Sequence, residues 1–152
     1  MTEERLARYR VLYRDVDAMG VLYYGRYLAL FELGRVEWMR DEGYRYRRME
    51  EEEGLILPVT ATHCRYHDAL RYDDLAVVST WIAAWSTTTV RFAHRVTRED
   101  DGALCATGEV ELGCLTADGW RPARLPRPLV ELLSQVAGDR KGRVRKEAQG
   151  AI

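Results

Sequence analysis

From Arg26 to Trp38 the chain reads RYLALFELGRVEW, and this run limits the possible folds more than any other. Tyr27, Leu30, Phe31, Gly34 and Trp38 fall at i, i+3, i+4, i+7 and i+11, one stripe of an α-helix. Leu28, Leu33 and Val36 widen the stripe, while Glu32, Arg35, Glu37 and Arg40 supply charge. So broad an apolar surface requires a helix wrapped by other elements. Gly34, in mid-helix, costs about 1 kcal/mol relative to Ala, which predicts close approach of another backbone there. Gly43 fits the C′ position that closes the helix.

The remaining sequence supplies a wrapper with a period of two. Residues 9–14 (YRVLYR) read as a short strand, followed by a DAMG turn. The charged segment RYRRMEEEEG reads as one or two solvated helical turns closed by Gly54. Residues 55–66 then read as one long strand, HDALRYDD as a polar turn, and residues 74–84 and 88–97 as a hairpin around 85–87. Val90, Phe92 and Val96 share one parity, with Arg91, Arg95 and Thr97 on the other. The next strand opposes Leu104, Ala106, Val110 and Leu112 to Thr107, Glu109 and Glu111. A short helix over 128–137 completes a single domain spanning 1–138, and the basic, aperiodic residues 139–152 read as a frayed tail. The order is strand, buried helix, then four antiparallel strands: an α+β domain with two sheet edges that a homodimer could pair.

Composition excludes several classes. A formal net charge of −1 gives no global attraction to nucleic acid or an anionic membrane, so neither is an expected partner. The N-terminus has no secretory apolar region, and the longest uncharged stretch, 75–90, is too short and too rich in Thr and Ser to span a bilayer. Cys64, Cys105 and Cys114 lack metal-type spacing and read as small buried hydrophobes in a reducing cytoplasm. Among the three histidines, His94 lies on the apolar parity of its strand and reads as a satisfied core residue. No G-x-S-x-G, metal constellation or G-x-G-x-x-G occurs, so no metal and no separate cofactor are expected.

Two aspartates, Asp15 and Asp17, precede the helix. Spacing alone favours an N-cap, worth about 1 kcal/mol, for either one. The run DVDAMGVLYYGRYLALFELGR, however, resembles the signature of hotdog-fold acyl-CoA thioesterases of the 4-hydroxybenzoyl-CoA thioesterase and YbgC type. Asp15, Asp17, Gly20, Tyr23, Tyr27, Phe31, Glu32 and Arg35 match as they stand, and RYDD at 71–74 and RPARLP at 121–126 extend the likeness to roughly residues 9–135. Gly34 departs from the usual Ala, Tyr24 stands where many relatives have His or Asn, and Ala69 stands where Pro is common.

The resemblance implies an antiparallel sheet wrapped around a long central helix. It also implies hydrolysis of acyl-CoA thioesters with Asp17 as the catalytic carboxylate, in a homodimer or homotetramer whose sites lie at the dimer interface. Coenzyme A is then part of the substrate. The chemistry is consistent with one carboxylate. A thiolate whose thiol has a pKa of about 8.5 leaves without strong acid help. Attack is the demanding step, and Asp17 could either deprotonate water or add directly to form an anhydride. The oxyanion needs donors, and backbone N–H groups in the 21–24 region, at the positive end of the helix, are the candidates. Gly20 would allow that backbone to approach the ligand, and Tyr24 completes the expected catalytic set. Asp15 reads as a structural hydrogen-bonding residue, and Glu32 with Arg35 as a surface or interface ion pair.

Arg91, Arg121, Arg124 and Arg127 are candidates for the CoA phosphates, with solvated surface charge as the competing reading. Tyr66, Trp81 and Trp85 could stack on adenine, line the acyl pocket or pack in the core. Tyr23 and Tyr24 suggest a small or medium acyl group, aromatic ones included. The helix carries no His between residues 17 and 43, which argues against hydratase chemistry on the same scaffold. The rival readings are an acyl-CoA or acyl-carrier-protein binding module without turnover, and a structural partner exposing RYRRMEEEEG. Retention of Asp17 and Gly20 argues against the first.

Overall fold

The computed structural model describes residues 4–137; the tail expected over 139–152 lies outside the described residues. One five-stranded antiparallel sheet, in the order β1-β4-β5-β6-β3, curves around α1 (Arg26–Asp41). Its strands are β1 (Arg5–Arg10), β3 (Val59–Tyr66), β4 (Leu75–Trp85), β5 (Thr89–Arg98) and β6 (Leu104–Gly113). A small ribbon pairs β2 (Leu55–Ile56) with β7 (Leu115–Thr116). This is the α+β arrangement expected of a hotdog fold.

Two strand expectations need correction. The first strand runs over Arg5–Arg10 and stops before residue 13, where Tyr13–Asp15 forms a 3₁₀ turn. The Asp15 carboxylate causes the turn by accepting hydrogen bonds from the Leu12 N–H (2.8 Å) and the Tyr9 hydroxyl (2.7 Å), a local alternative to the sheet ladder. Residues 55–66 form two strands. Pro58 has no N–H for a ladder, so the chain breaks there. β2 leaves to pair with β7, and β3 continues as the outer partner of β6. RYRRMEEEEG is helical as expected, with α2 (Tyr46–Arg48) passing into a π-helical turn, Met49–Glu53, that Gly54 ends at φ 64°.

The apolar stripe of α1 faces the concave side of the sheet. Phe31 and Trp38 are fully buried; Trp38 meets Phe92 edge-on at 5.7 Å, and Phe31 stacks on His94 at 4.7 Å. α3 (Arg127–Ala137) adds Leu129, Leu133 and Val136 to the same core. Close approach at Gly34 comes from side chains, not from the expected backbone. A Cβ there would overlap Thr80 Oγ1 and lie 2.8 Å from Val78 Cγ1. The Glu32–Arg35 pair is present at 3.8 Å, but only Glu32 reaches solvent; Arg35 is buried beside Tyr46.

His94 is wholly buried on β5, as its parity predicts, yet only half satisfied. Its Nδ1 is 2.9 Å from Thr80 Oγ1, and its Nε2 has no partner among the described residues. Burial, reinforced by the nearby Arg35 charge, pushes its pKa down to about 3, so the ring is neutral at physiological pH.

Gly34→Ala gains about 1 kcal/mol of helix propensity but must displace Thr80 and Val78, an overpacking cost of about 1–3 kcal/mol. A lower urea midpoint at unchanged slope is expected; a midpoint at or above wild type would show that the contact yields. Protonating His94 costs more in the folded state than in the unfolded one. Its contribution is therefore complete above the unfolded pKa of about 6.5 and is lost toward pH 3, at up to about 1.4 kcal/mol per pH unit. Urea midpoints of wild type and His94→Asn should converge as pH falls from 7 to 4; a constant gap would contradict a buried neutral ring.

Candidate active site

The two aspartates take different roles because the chain turns between them. Asp15 is buried. Besides its bonds to Tyr9 and Leu12, its Oδ1 lies 3.6 Å from Arg26 Nε, and its carbonyl accepts the Tyr23 N–H at 2.9 Å. It pins the loop to the start of α1. Asp17 is half-exposed and folds the next residues around itself: Oδ1 accepts the Met19 N–H (2.8 Å), and its carbonyl accepts the Gly20 N–H (2.9 Å). This is an Asx-type turn, which leaves Oδ2 available. Gly20 sits at φ 78°, and a Cβ there would meet nothing within 4 Å. The glycine is therefore required by backbone angle, not by lack of space.

The N-terminus of α1 is left uncapped. Gly25 occupies the N-cap position without a side-chain cap, and the first turn carries no acidic residue. The Leu22 N–H donates to the Leu70 carbonyl (2.7 Å) and the Tyr23 N–H to that of Asp15, so these two amides of the 21–24 region are already engaged. The Tyr24 and Gly25 N–H groups find no acceptor among the described residues. They are orphan donors at the positive end of a sixteen-residue helix.

Asp17 and Tyr24 border a cavity of about 400 Å³. Val21 and Leu22 continue that wall, Tyr27 reaches in from α1, and Tyr66, His67, Asp68 and Ala69 form the opposite side. The Tyr66 hydroxyl donates to the Tyr24 carbonyl at 3.0 Å, and its ring meets Tyr27 edge-on at 5.1 Å. Burial pushes the phenols of both Tyr27 and Tyr66 up to about 12, with the neighbouring Cys64 thiol contributing at Tyr66. Both remain protonated donors at neutral pH.

Arg98 braces the far wall. Its guanidinium donates to the Ala69 carbonyl (2.6 Å), the Asp68 carboxylate (3.0 Å) and both oxygens of Asp101 (3.0 and 3.1 Å). The Ala69 N–H, and then Arg98, hold the Asp68 carboxyl below the usual range. His67 meets Thr107 Oγ1 at 3.0 Å. In the sequence, residues 67–74 read as a polar turn whose RYDD end joins the family likeness, and nothing there gives His67, Asp68 or Arg98 a place at the site. Their one sequence signal, an Asp three residues beyond Arg98, cannot reveal a contact spanning some thirty residues.

Other expected ligand residues lie elsewhere in the protomer. Arg91 pairs with Glu111 at 3.6 Å, in register with Ala61, five positions along β3 from Tyr66 or roughly 17 Å. Arg121 and Arg124 are exposed near β7, and Arg127 pairs with Glu131. Trp85 belongs to the main core, and Trp81 packs with Ala83 and Ala93 under Arg95 on the convex face. The single protomer thus brings Asp17, Gly20, Tyr24 and Tyr66 together and leaves the arginines at the other end of the sheet.

Comparison with known proteins agrees with this fold. Residues 11–133 match the family model of the Thioesterase-like superfamily. The chain is 30% identical over 118 residues to an acyl-CoA thioesterase, YbgC, of Haemophilus influenzae, covering 78% of this chain and 85% of that protein. It is 28% identical over 126 residues to an acyl-CoA thioester hydrolase, YbgC, of Escherichia coli, covering 83% and 92%. A solved DHNA-CoA thioesterase from Staphylococcus aureus superposes with a TM-score of 0.83 at 31% identity, covering 88% of this chain and 90% of that one. A domain-long family match, a sheet wrapped around one helix, and relatives that hydrolyse acyl-CoA thioesters lead to one conclusion: the chain belongs to the thioesterase-like superfamily and is a thioester hydrolase with the hotdog fold.

Proposed function

We propose that the protein hydrolyses the thioester of small or medium acyl-CoA molecules, aromatic acyl groups among them, with Asp17 as the reacting carboxylate. The observation that carries this reading is a single cavity bordered by Asp17 and by Tyr24, whose amide finds no acceptor among the described residues at the start of the helix. A thioester carbonyl bound there has its carbon within reach of Asp17 and its oxygen directed at donors that strengthen as negative charge develops. Water activated by Asp17, or an anhydride formed on it, then yields the free acid and coenzyme A. Three tyrosines and Leu22 around the cavity favour an aromatic or compact acyl group.

The same reading calls for a homodimer, with a tetramer as its further assembly. β3 is an edge strand exposed on both faces except at Cys64, which invites pairing with a second copy. Antiparallel pairing of two β3 edges would turn the Arg91 end of one protomer toward the Tyr66 end of the other. Arg91, Arg121 and Arg124 would then be available to the phosphates of a coenzyme A whose acyl end lies in the facing cavity. Three free cysteines support a reducing, cytoplasmic setting, and among the described residues no helix is long and apolar enough to cross a membrane.

Thiol release from benzoyl-, short-chain and long-chain CoA, followed with a thiol dye, tests the activity; silence on every thioester would leave the non-catalytic binding module standing. Asp17→Asn should keep the fold but lower kcat by more than about 100-fold, and a fully active variant would remove the carboxylate from the mechanism. Gly20→Val forces a β-branched residue to a positive φ, at a cost of about 1–2 kcal/mol. A fall in kcat/KM of about tenfold or more is expected from the displaced Asp17 loop; unchanged kinetics would show that the turn does not set the site.

A further inference from the structure

Three of the four tryptophans are core residues: Trp38, Trp81 and Trp85 are 0%, 4% and 5% exposed. Trp81 and Trp85 are thereby closed to an adenine ring. Trp120 differs. It is 64% exposed, and its indole meets no other ring, cation or hydrogen-bond partner among the described residues. Its backbone is as unusual as its exposure, for Trp120 sits at φ 52° directly after Gly119 at φ 84°. Glycine takes such angles readily, whereas a bulky side chain there is an outlier. The turn around it is firmly held. The Thr116 N–H donates to the Arg121 carbonyl (2.8 Å), the Arg121 N–H to Thr116 Oγ1 (3.1 Å), and that hydroxyl to the Asp118 carbonyl (2.6 Å). The Ala117 N–H donates to the Gly54 carbonyl at 2.9 Å and ties the turn to the rest of the chain. The fold thus holds a large aromatic face in water, under backbone strain, where a glycine would close the same turn without it.

Two cations accompany the ring, against the one carboxylate of Asp118. Arg121 folds its guanidinium back along the turn, with Cζ and Nη1 each 3.8 Å from the position a Cβ on Gly119 would take. Arg124 follows on the same exposed segment, and neither guanidinium has an ion-pair or hydrogen-bond partner among the described residues. An open indole beside unpaired guanidiniums suits a flat base that carries phosphate: the ring takes the base, and the N–H forks take the phosphate oxygens. We propose that Trp120, with Arg121 and Arg124, is the platform for the adenosine 3′-phosphate end of coenzyme A, the indole stacking on the adenine. This inference rests on the acyl-CoA reading above and gives its arginines an aromatic partner. The turn follows β6, whose Leu112 is in register with Val59 at the start of β3, seven positions or roughly 23 Å from Tyr66. Antiparallel pairing of two β3 edges brings this end of one protomer beside the Tyr66 end of the other. Cavity and platform of one site then come from different copies.

Trp120→Gly removes the ring and relieves the strained angle in one step. Its KM for acyl-CoA should rise about fivefold or more, the effect of losing one base–aromatic stack. KM for the corresponding N-acetylcysteamine thioester, which has no nucleotide, should change by less than about twofold. The urea midpoint of the variant should equal or exceed that of wild type, because glycine accepts the positive φ. A lower midpoint with unchanged KM would mean that the indole only supports the turn, and would overturn the platform. So would a KM that rises equally on both thioesters. Trp120→Phe, which keeps a ring, should recover most of the lost affinity, and Arg121→Gln with Arg124→Gln should weaken the preference for coenzyme A over dephospho-coenzyme A. Because the other tryptophans are buried, fluorescence reads the site directly: adenosine 3′,5′-bisphosphate should quench the full-length wild type saturably and leave Trp120→Gly unquenched. Equal quenching of both proteins would overturn the assignment. This binding measurement needs no turnover, so a wild type that hydrolyses no thioester yet is quenched would refute the thioesterase reading and leave the platform standing.

Discussion

A helix that is apolar around much of its circumference must be enclosed, and here five strands do the enclosing. The closeness of the fit is set at Gly34, where Val78 and Thr80 occupy the space a methyl group would need. Seating α1 this deeply buries Phe31 and Trp38 completely and brings Phe31 flat against His94. It also forces Arg35 and His94 into the interior, where a neutral imidazole beside a guanidinium costs less than two charges would.

The end of the molecule that holds the cavity follows from the same helix. Its N-terminus emerges from the sheet beside β3 with no side-chain cap and no acidic residue in its first turn, so its partial positive charge is uncompensated. Natural helices usually satisfy such groups, and leaving them open is worthwhile where an anion is to form. Asp15 fixes the loop from inside the protein, Gly20 turns it, and Asp17 borders the cavity. The opposite wall gains its rigidity from Arg98, which links the end of β5 to residues 68 and 69. The loops that border the cavity are thus anchored to strands and a helix.

Much of the architecture could be read from residues alone. The long helix, the hairpin of β4 and β5, the alternation along β5 and β6 and the closing helix all carry strong periodicity, because burial on one face imposes a repeat on the sequence. The errors fall where a local hydrogen bond or a missing N–H outweighed the pattern. Asp15 turned the expected first strand into a 3₁₀ turn, and Pro58 cut the expected long strand in two. Both residues were visible, but whether a local bond outcompetes a sheet ladder depends on what the rest of the chain offers.

The central helix, the nature of its wrapper and the candidacy of Asp17 were already written along the chain, in its periodicity and in a spaced motif. Folding settled which amides at the helix terminus lack an acceptor among the described residues, that Asp15 is buried while Asp17 borders the cavity, and that Tyr66 reaches Tyr24 while Arg91 lies along the sheet from it. Those facts concern donors and acceptors meeting across tens of residues. Sequence fixes which partners exist, but pairing is settled only when the sheet has set its register and each polar group has either found a partner or been left without one.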